Sequence, residues 1–296
     1  MKINRKRRQT ASTRELGLDL AQIAARYLFG TDHLHYGYWP AGLPVEPGNL
    51  RRAQENYTDL LVSYIPAGVR TILDVGMGTG ALAQRLLGEG YEVDCVSPSP
   101  YLTERARTLL GQGPCIFECR YEELQTERRY DLILFSESFQ YIDLPHTLSV
   151  SDAHLREGGH LLICDFFRKD TPDRGPFGGG HPLAEFRRQV AQYPLLQPIA
   201  DVDITRETAP NLDLTADLVT QLIAPARDRV FHWAATSYPL LSRALRGAFR
   251  RPLERAEAKY LSGQRSGANF QVYKSYRLLL FQNGGVEAPV LEPAKV

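Results

Sequence analysis

Residues 69–87 read VRTILDVGMGTGALAQRLL. An apolar run ends in an acid, a glycine loop follows, and a helical pattern begins at once. Val69, Ile72, Leu73 and Val75 are β-branched or apolar residues suited to a strand. Asp74 falls at the carboxyl end of that strand. Gly76, Gly78 and Gly80 allow a tight turn and let the backbone approach a ligand with no Cβ in the way. Ala81, Leu82, Leu86 and Leu87 then form a helical stripe. The Gly-x-Gly-x-Gly spacing differs from the dinucleotide fingerprint, whose third glycine comes one residue later. A glycine loop alone also fits an ordinary strand-to-helix turn.

The flanking sequence repeats this unit. Apolar runs predict strands at 70–75, 91–96, 114–119, 130–136 and 159–166. Helical spacing predicts helices at 79–89, 100–111 and 140–156, the last broken near Pro145. Such alternation specifies a parallel sheet covered on both faces. In sheets of this kind, ligands bind outside the carboxyl ends of the strands. Upstream, residues 14–29 and 50–64 have helical spacing, with the aromatic, glycine-bearing segment GTDHLHYGYWPAGLP between them. Downstream, strands are expected at 199–204 (IADVDI) and 270–281 (FQVYKSYRLLLF). The stretch between them reads mostly helical and is far longer than a hairpin connection needs.

Of the 296 residues, 43% are hydrophobic and 23% charged, as in ordinary globular chains. A net charge of +1 argues against a dedicated nucleic-acid binder. Cys95, Cys115, Cys119 and Cys164 form no Cys-x-x-Cys pair, and buried reduced thiols are expected. No apolar stretch approaches the length of a membrane span. The basic start MKINRKRRQT has no apolar signal core after it, so a cytoplasmic chain with a disordered basic tail is expected.

The string DVGMGTG resembles motif I of class I S-adenosyl-L-methionine (SAM)-dependent methyltransferases. The resemblance implies SAM as cofactor, with the glycine loop passing under its methionine and ribose portions. Asp74 would organise the loop and the amino group. The second strand continues as VSPSPYLTERAR, which puts Ser97 where many members carry a ribose-binding acid; Asp94 falls three residues too early. Ser97 keeps a hydroxyl that can donate or accept. The V-S-P-S-P form resembles the small-molecule branch that includes ubiquinone, tocopherol and cyclopropane-fatty-acid methyltransferases. Arg120 stands where an acid often precedes the adenine segment, leaving Tyr121 and Glu122 as adenine-flanking candidates. Glu122 and Glu123 equally fit a solvated helix start. Ser136 ends the fourth strand near the methionine part of SAM.

In SESFQYI, the resemblance puts Glu137, Gln140 and Tyr141 at the mouth of the site. Glu137 is a candidate general base, and a helix-capping carboxylate is the alternative. Upstream, Tyr36, Tyr38 and Trp39 would form a lid or carboxylate contact over SAM, or else staple the N-terminal helices. Asp165 ends the fifth strand. His181 follows three glycines and is a further candidate base, although a simple flexible loop also fits. Asp170, Asp173 and His181 have irregular spacing, and no metal is expected. Arg227, Arg229, Arg243, Arg246, Arg250, Arg251 and Arg255 lie amid apolar residues. They suit a membrane surface or acidic headgroup, or a solvated basic helix face.

The whole is expected to be an α/β, Rossmann-like class I methyltransferase sheet, mostly parallel with the last strand antiparallel. The expected segments are a tail at 1–13, N-terminal helices and lid at 14–66, and a SAM-binding core at 67–205. A helical cap at 206–268, a last core strand at 269–282 and a loose tail at 283–296 complete the chain. The expected activity is methyl transfer to O or C of an apolar small molecule, quinone, lipid or secondary metabolite. The alternatives are other SAM-based chemistry, such as cyclopropanation or non-methyl group transfer, and ligand binding without turnover. The expected partner is an apolar or lipid-like acceptor, with no nucleic acid and with peripheral membrane contact open.

Overall fold

The computed structural model describes residues 26–27, 29–173 and 175–284. The expected tail at 1–13, most of the helix at 14–29 and residues 285–296 of the C-terminal tail lie outside the described residues. After a helix α1 (Leu50–Ser63), the chain enters β1 (Thr71–Val75), α2 (Ala81–Gly88), β2 (Glu92–Val96), α3 (Pro100–Leu110) and β3 (Ile116–Phe117). Then follow β4 (Tyr130–Ser136), α4 (Leu144–His154), β5 (Leu155–Arg168), α5 (Leu183–Val190) and β6 (Leu196–Asp203). Short helices α6 (Thr205–Thr208) and α7 (Pro210–Leu218) lead through a π turn at Val219–Ile223 into α8 (Ala224–Ser237) and α9 (Pro239–Tyr260). The chain closes with α10 (Gly267–Tyr273) and β7 (Lys274–Asn283).

The seven strands form one sheet in the order β3-β2-β1-β4-β5-β7-β6. Neighbours from β3 through β5 pair parallel, while β7 runs antiparallel to both β5 and β6. The central strands are buried on both faces, so they read as unbroken apolar runs rather than as alternations. Their period of two divides the core. Ile72, Leu132, Leu134, Leu162 and Leu278 pack on one face; Leu73, Ile133, Phe135, Leu161 and Ile163 pack on the other. The sheet order makes β1 and β4 central and sends the chain outward on either side of them. This reversal leaves a crevice at their carboxyl ends.

The structure corrects several boundaries. Pro145 does not break a helix: it sits in the first turn of α4, where its missing N–H costs nothing. The Asp143 side chain caps that helix through His146 N at 3.4 Å. Residues 270–273, expected as the start of the strand at 270–281, belong instead to α10, whose cap is Ser266 Oγ accepting from Asn269 N at 3.2 Å. Only from Lys274 does the alternation become a strand. Cys95 and Cys164 are buried, but Cys115 is exposed and Cys119 half-buried. Both flank β3, a two-residue strand on the sheet edge with little to cover them.

Candidate active site

A cavity of about 530 Å³ opens at the carboxyl ends of β1, β2 and β4. That volume suits a nucleoside-sized ligand. Its floor is the glycine loop after β1. Gly76, Gly78 and Gly80 have φ of +78°, +56° and +88°, values that L side chains adopt only with strain. A Cβ on Gly76 would collide with Ser138 Cβ, whereas one on Gly78 would meet only Leu34 Cδ1, at 3.8 Å. Gly76 therefore lets the loop after β4 close on β1, and Gly78 keeps its surface open to the cavity. Gly80 does not line the cavity; it starts α2 and packs on Ala106 and Leu110 of α3 and the residues around it.

Asp74 lines the cavity and is 1% exposed. Its Oδ2 has no hydrogen-bond partner, and burial pushes the carboxyl up to about 7. A buried carboxylate oxygen without a donor is costly and suits a cationic ligand group. Ser97, 2% exposed at the end of β2, accepts from Ser99 N at 3.3 Å and keeps its own proton to donate. Arg120, Tyr121 and Glu122 form another wall. Tyr121 is buried, and its hydroxyl meets Ser151 Oγ at 3.0 Å. Ser136, at the end of β4, lies 3.2 Å from the Tyr57 hydroxyl.

Glu137 follows directly, with φ +54°, among the described residues the one non-glycine with positive φ. This strained backbone aims its carboxylate into the protein. Oε1 accepts from Tyr36 N and from the Tyr276 hydroxyl, both at 2.6 Å. Burial raises its pKa and these two donors lower it, leaving it at about 7. Tyr141 lines the mouth and is 54% exposed. Asp165 is fully buried and accepts from Gln140 N and Gln140 Nε2, both at 3.0 Å. Burial carries its pKa to about 8 against those bonds. His181 stands off the cavity, with Nε2 3.1 Å from the Phe139 carbonyl and its ring edge-on to Phe139.

The aromatic upstream segment divides in two. Tyr36 packs against Phe166, Phe270 and Tyr276, and Trp39 is buried beside Leu214. Tyr38 packs against the core and does not line the cavity. The wall is instead made by His33, Leu34 and His35, which sequence reasoning missed. The His35 ring stacks on Tyr57 at 4.4 Å and its Nδ1 lies 2.8 Å from the Tyr36 carbonyl, which assigns that nitrogen the proton. Its Nε2 then faces His33 Nδ1 at 3.0 Å. Burial lowers both histidines, His35 to about 3, so the pair is uncharged at neutral pH.

A family model described as a methyltransferase domain matches residues 49–212. The chain belongs to the class I SAM-dependent methyltransferases. The methyltransferase is 32% identical over 133 residues to a malonyl-acyl-carrier-protein O-methyltransferase of Ilyobacter polytropus, covering 41% of this chain and 48% of that protein. It is 29% identical over 174 residues to the methyltransferase GfsG of Streptomyces halstedii, covering 55% and 62%. An uncharacterised methyltransferase of Mycobacterium tuberculosis is 28% identical over 115 residues, covering 38% and 47%. The methyltransferase thus spans about half the length of most curated relatives it matches. The fold is shared with the 4+2 cyclase SpnF (TM-score 0.63, 18% identity, covering 90% of this chain and 92% of that one). It is shared too with geranyl diphosphate C-methyltransferase from Streptomyces coelicolor A3(2), solved with S-adenosyl-L-homocysteine (0.61, 20%, covering 88% and 92%). The methyltransferase uses SAM, and the cavity fits that cofactor: Asp74 offers an unpartnered carboxylate oxygen, and Gly78 a floor with room for a ligand.

Proposed function

We propose that the methyltransferase holds SAM in this cavity and methylates an oxygen or carbon of an apolar small-molecule acceptor entering past Tyr141. The orphaned carboxylate of Asp74, set beside the glycine loop at the strand ends, carries this reading. Asp74 would take the ammonium of the methionine moiety. Ser97 would bond the ribose hydroxyls, and Arg120, Tyr121 and Glu122 would border the adenine. Bound SAM supplies a methyl group already activated on a sulfonium, so positioning and exclusion of water carry most of the rate.

Glu137 is the base we assign where the acceptor must lose a proton. Tyr36 N and Tyr276 hold its Oε1, leaving Oε2 outside those bonds, and a carboxyl poised near neutrality is suited to exchange protons. Tyr141 would orient the acceptor at the mouth. His181 we assign to holding the Phe139 turn. The names of the malonyl-acyl-carrier-protein O-methyltransferase of Ilyobacter polytropus and of the geranyl diphosphate C-methyltransferase give one methylation at oxygen and one at carbon, the two acceptor atoms of this reading. The likeness to a 4+2 cyclase means that fold alone does not separate methyl transfer from other chemistry in such a cavity.

The test is calorimetry with SAM and S-adenosylhomocysteine, then mass analysis of candidate acceptors. Binding of both, with S-adenosylhomocysteine released only when acceptor is present, is expected. Absence of binding would remove the reading. Full turnover by Glu137→Gln with a proton-bearing acceptor would remove the base.

A further inference from the structure

Helices α8 and α9 form an antiparallel hairpin between β6 and β7, tied near its base by Arg227 and Glu257 at 2.9 Å. Its turn is Ser237–Tyr238–Pro239. Around that turn Leu240 is 81% exposed, Trp233 59%, Leu241 58% and Tyr238 54%. Trp233 and Tyr238 meet edge-on at 5.7 Å and form one aromatic knob. On α8, Val230 is also exposed, three residues before Trp233 on the same helix face; Ile223, in the π turn that leads into α8, is exposed as well. Leaving this much apolar surface in water at a projecting tip is unfavourable unless something covers it.

The charge around the tip indicates what does. Residues 224–260 carry eight Arg or Lys against three Asp or Glu, a net +5 in a chain whose total is +1. The rest of the protein is therefore net acidic. Arg229 lies one helical turn before Trp233, and Arg243 follows Leu241 closely, both exposed. Tryptophan and tyrosine favour the headgroup level of a bilayer, and long cationic side chains beside them reach lipid phosphates. A second copy of this chain fits poorly, because an isologous contact would bring +5 against +5. Among the described residues no helix is long and apolar enough to cross a membrane, so contact would lie at the surface.

We propose that the α8–α9 hairpin docks the methyltransferase on an anionic lipid surface, the Trp233–Leu241 tip entering the headgroup layer and the arginines contacting phosphates. The proposal stands apart from the acceptor's identity. It names a place from which an apolar acceptor can be drawn.

Flotation of the full-length protein with vesicles tests it, comparing pure phosphatidylcholine with vesicles holding about 30% phosphatidylglycerol. Binding to the anionic vesicles alone is expected, weakening as salt rises from about 0.05 to 0.5 M. Trp39 is buried, so a blue shift of tryptophan emission on binding should come from Trp233 and vanish in Trp233→Phe. Replacing Arg229, Arg243 and Arg251 with Gln should weaken binding about a hundredfold. Leu240→Ser with Leu241→Ser should also weaken it, with the melting temperature unchanged because both side chains are exposed. Equal partition on neutral and anionic vesicles overturns the proposal. So does undiminished binding by the Leu or Arg variants, which would place the contact on the basic segment at residues 2–8. Conversion of a dimer to a monomer by the Leu variants, without loss of vesicle binding, would assign the tip to self-association instead.

Discussion

Gly76 and Gly78 share a left-handed backbone, yet a methyl group added at each meets different surroundings. At Gly78 it faces the cavity, with Leu34 at van der Waals distance. Gly78→Ala should therefore fold with a loss of about 1–2 kcal/mol from backbone strain, while S-adenosylhomocysteine affinity falls by about tenfold or more. At Gly76 the methyl overlaps Ser138, whose hydroxyl bonds the Val75 carbonyl. Gly76→Ala should lose about 3 kcal/mol or more, because strain and overpacking add. Thermal melts with calorimetry separate the two; equal melting temperatures would contradict this division of labour. Asp74 gives a second residue-scale prediction. Its carboxyl must be ionised to hold an ammonium, so S-adenosylhomocysteine affinity should rise with pH up to about 7 and level off above. Asp74→Asn should bind weakly and flatten that rise, which titrations at several pH values would show. Asp74, Gly76 and Gly78 were legible because the glycine loop has a compact local signature. His33 and His35 were not, since their place on the cavity comes from a strap that crosses the fold.

That strap, residues 31–39, is bonded to four separate parts of the protein. Gln54 on α1 donates to the His35 carbonyl at 2.7 Å, and Thr79 of the glycine loop donates to the Asp32 carbonyl at 2.7 Å. Glu137 accepts from Tyr36 N, and Asn211 on α7 takes both Gly37 N, at 2.8 Å, and the Gly37 carbonyl, at 2.7 Å. The strap thereby couples the region after β6 to the cofactor cavity. Asn211→Ala strands two buried backbone groups of Gly37. It should cost about 2 kcal/mol, speed amide exchange across residues 33–38, and weaken ligand binding with α2 and β1 still protected. Unchanged exchange there would show that the strap is held without it. None of these partners could be matched from sequence, because Gly37 and Asn211 are 174 positions apart. The parallel strands were legible, because burial on both faces leaves unbroken apolar runs. Residues 270–273 were not: FQVY alternates as a strand does, and the Ser266 cap that turns it helical carries little weight beside that pattern.

Across the whole molecule, buried titratable groups set how stability follows pH. Burial raises Asp74 from 3.8 and Glu137 from 4.5 to about 7, and Asp165 from 3.8 to about 8. Above the unfolded values the folded chain keeps protons that the unfolded chain has released, so each group makes stability fall as pH rises. His33, His35 and His160 are all lowered from 6.5, chiefly by burial. Below that value the unfolded chain holds protons the folded one lacks, and stability rises with pH. Below about pH 6.5 the two sets oppose each other. Above about 6.5 the histidines no longer contribute, while the three acids are still shedding protons up to about 8. Lys274, lowered chiefly by burial to about 8, restores a rise only beyond that point. The ligand-free protein should therefore lose melting temperature from about pH 6.5 to 8, against the common pattern in which paired carboxylates hold stability level there. Asp74→Asn should remove one proton from that slope, about 1.4 kcal/mol per pH unit at most. Saturating S-adenosylhomocysteine should flatten the same interval, because its ammonium favours the ionised Asp74 that folding alone disfavours. Melts across a buffer series, with and without ligand, measure both effects. A melting temperature that climbs through the interval without ligand would mean that these carboxyls are ionised and partnered in the folded chain. It would remove the unpartnered charge on which the cofactor assignment rests.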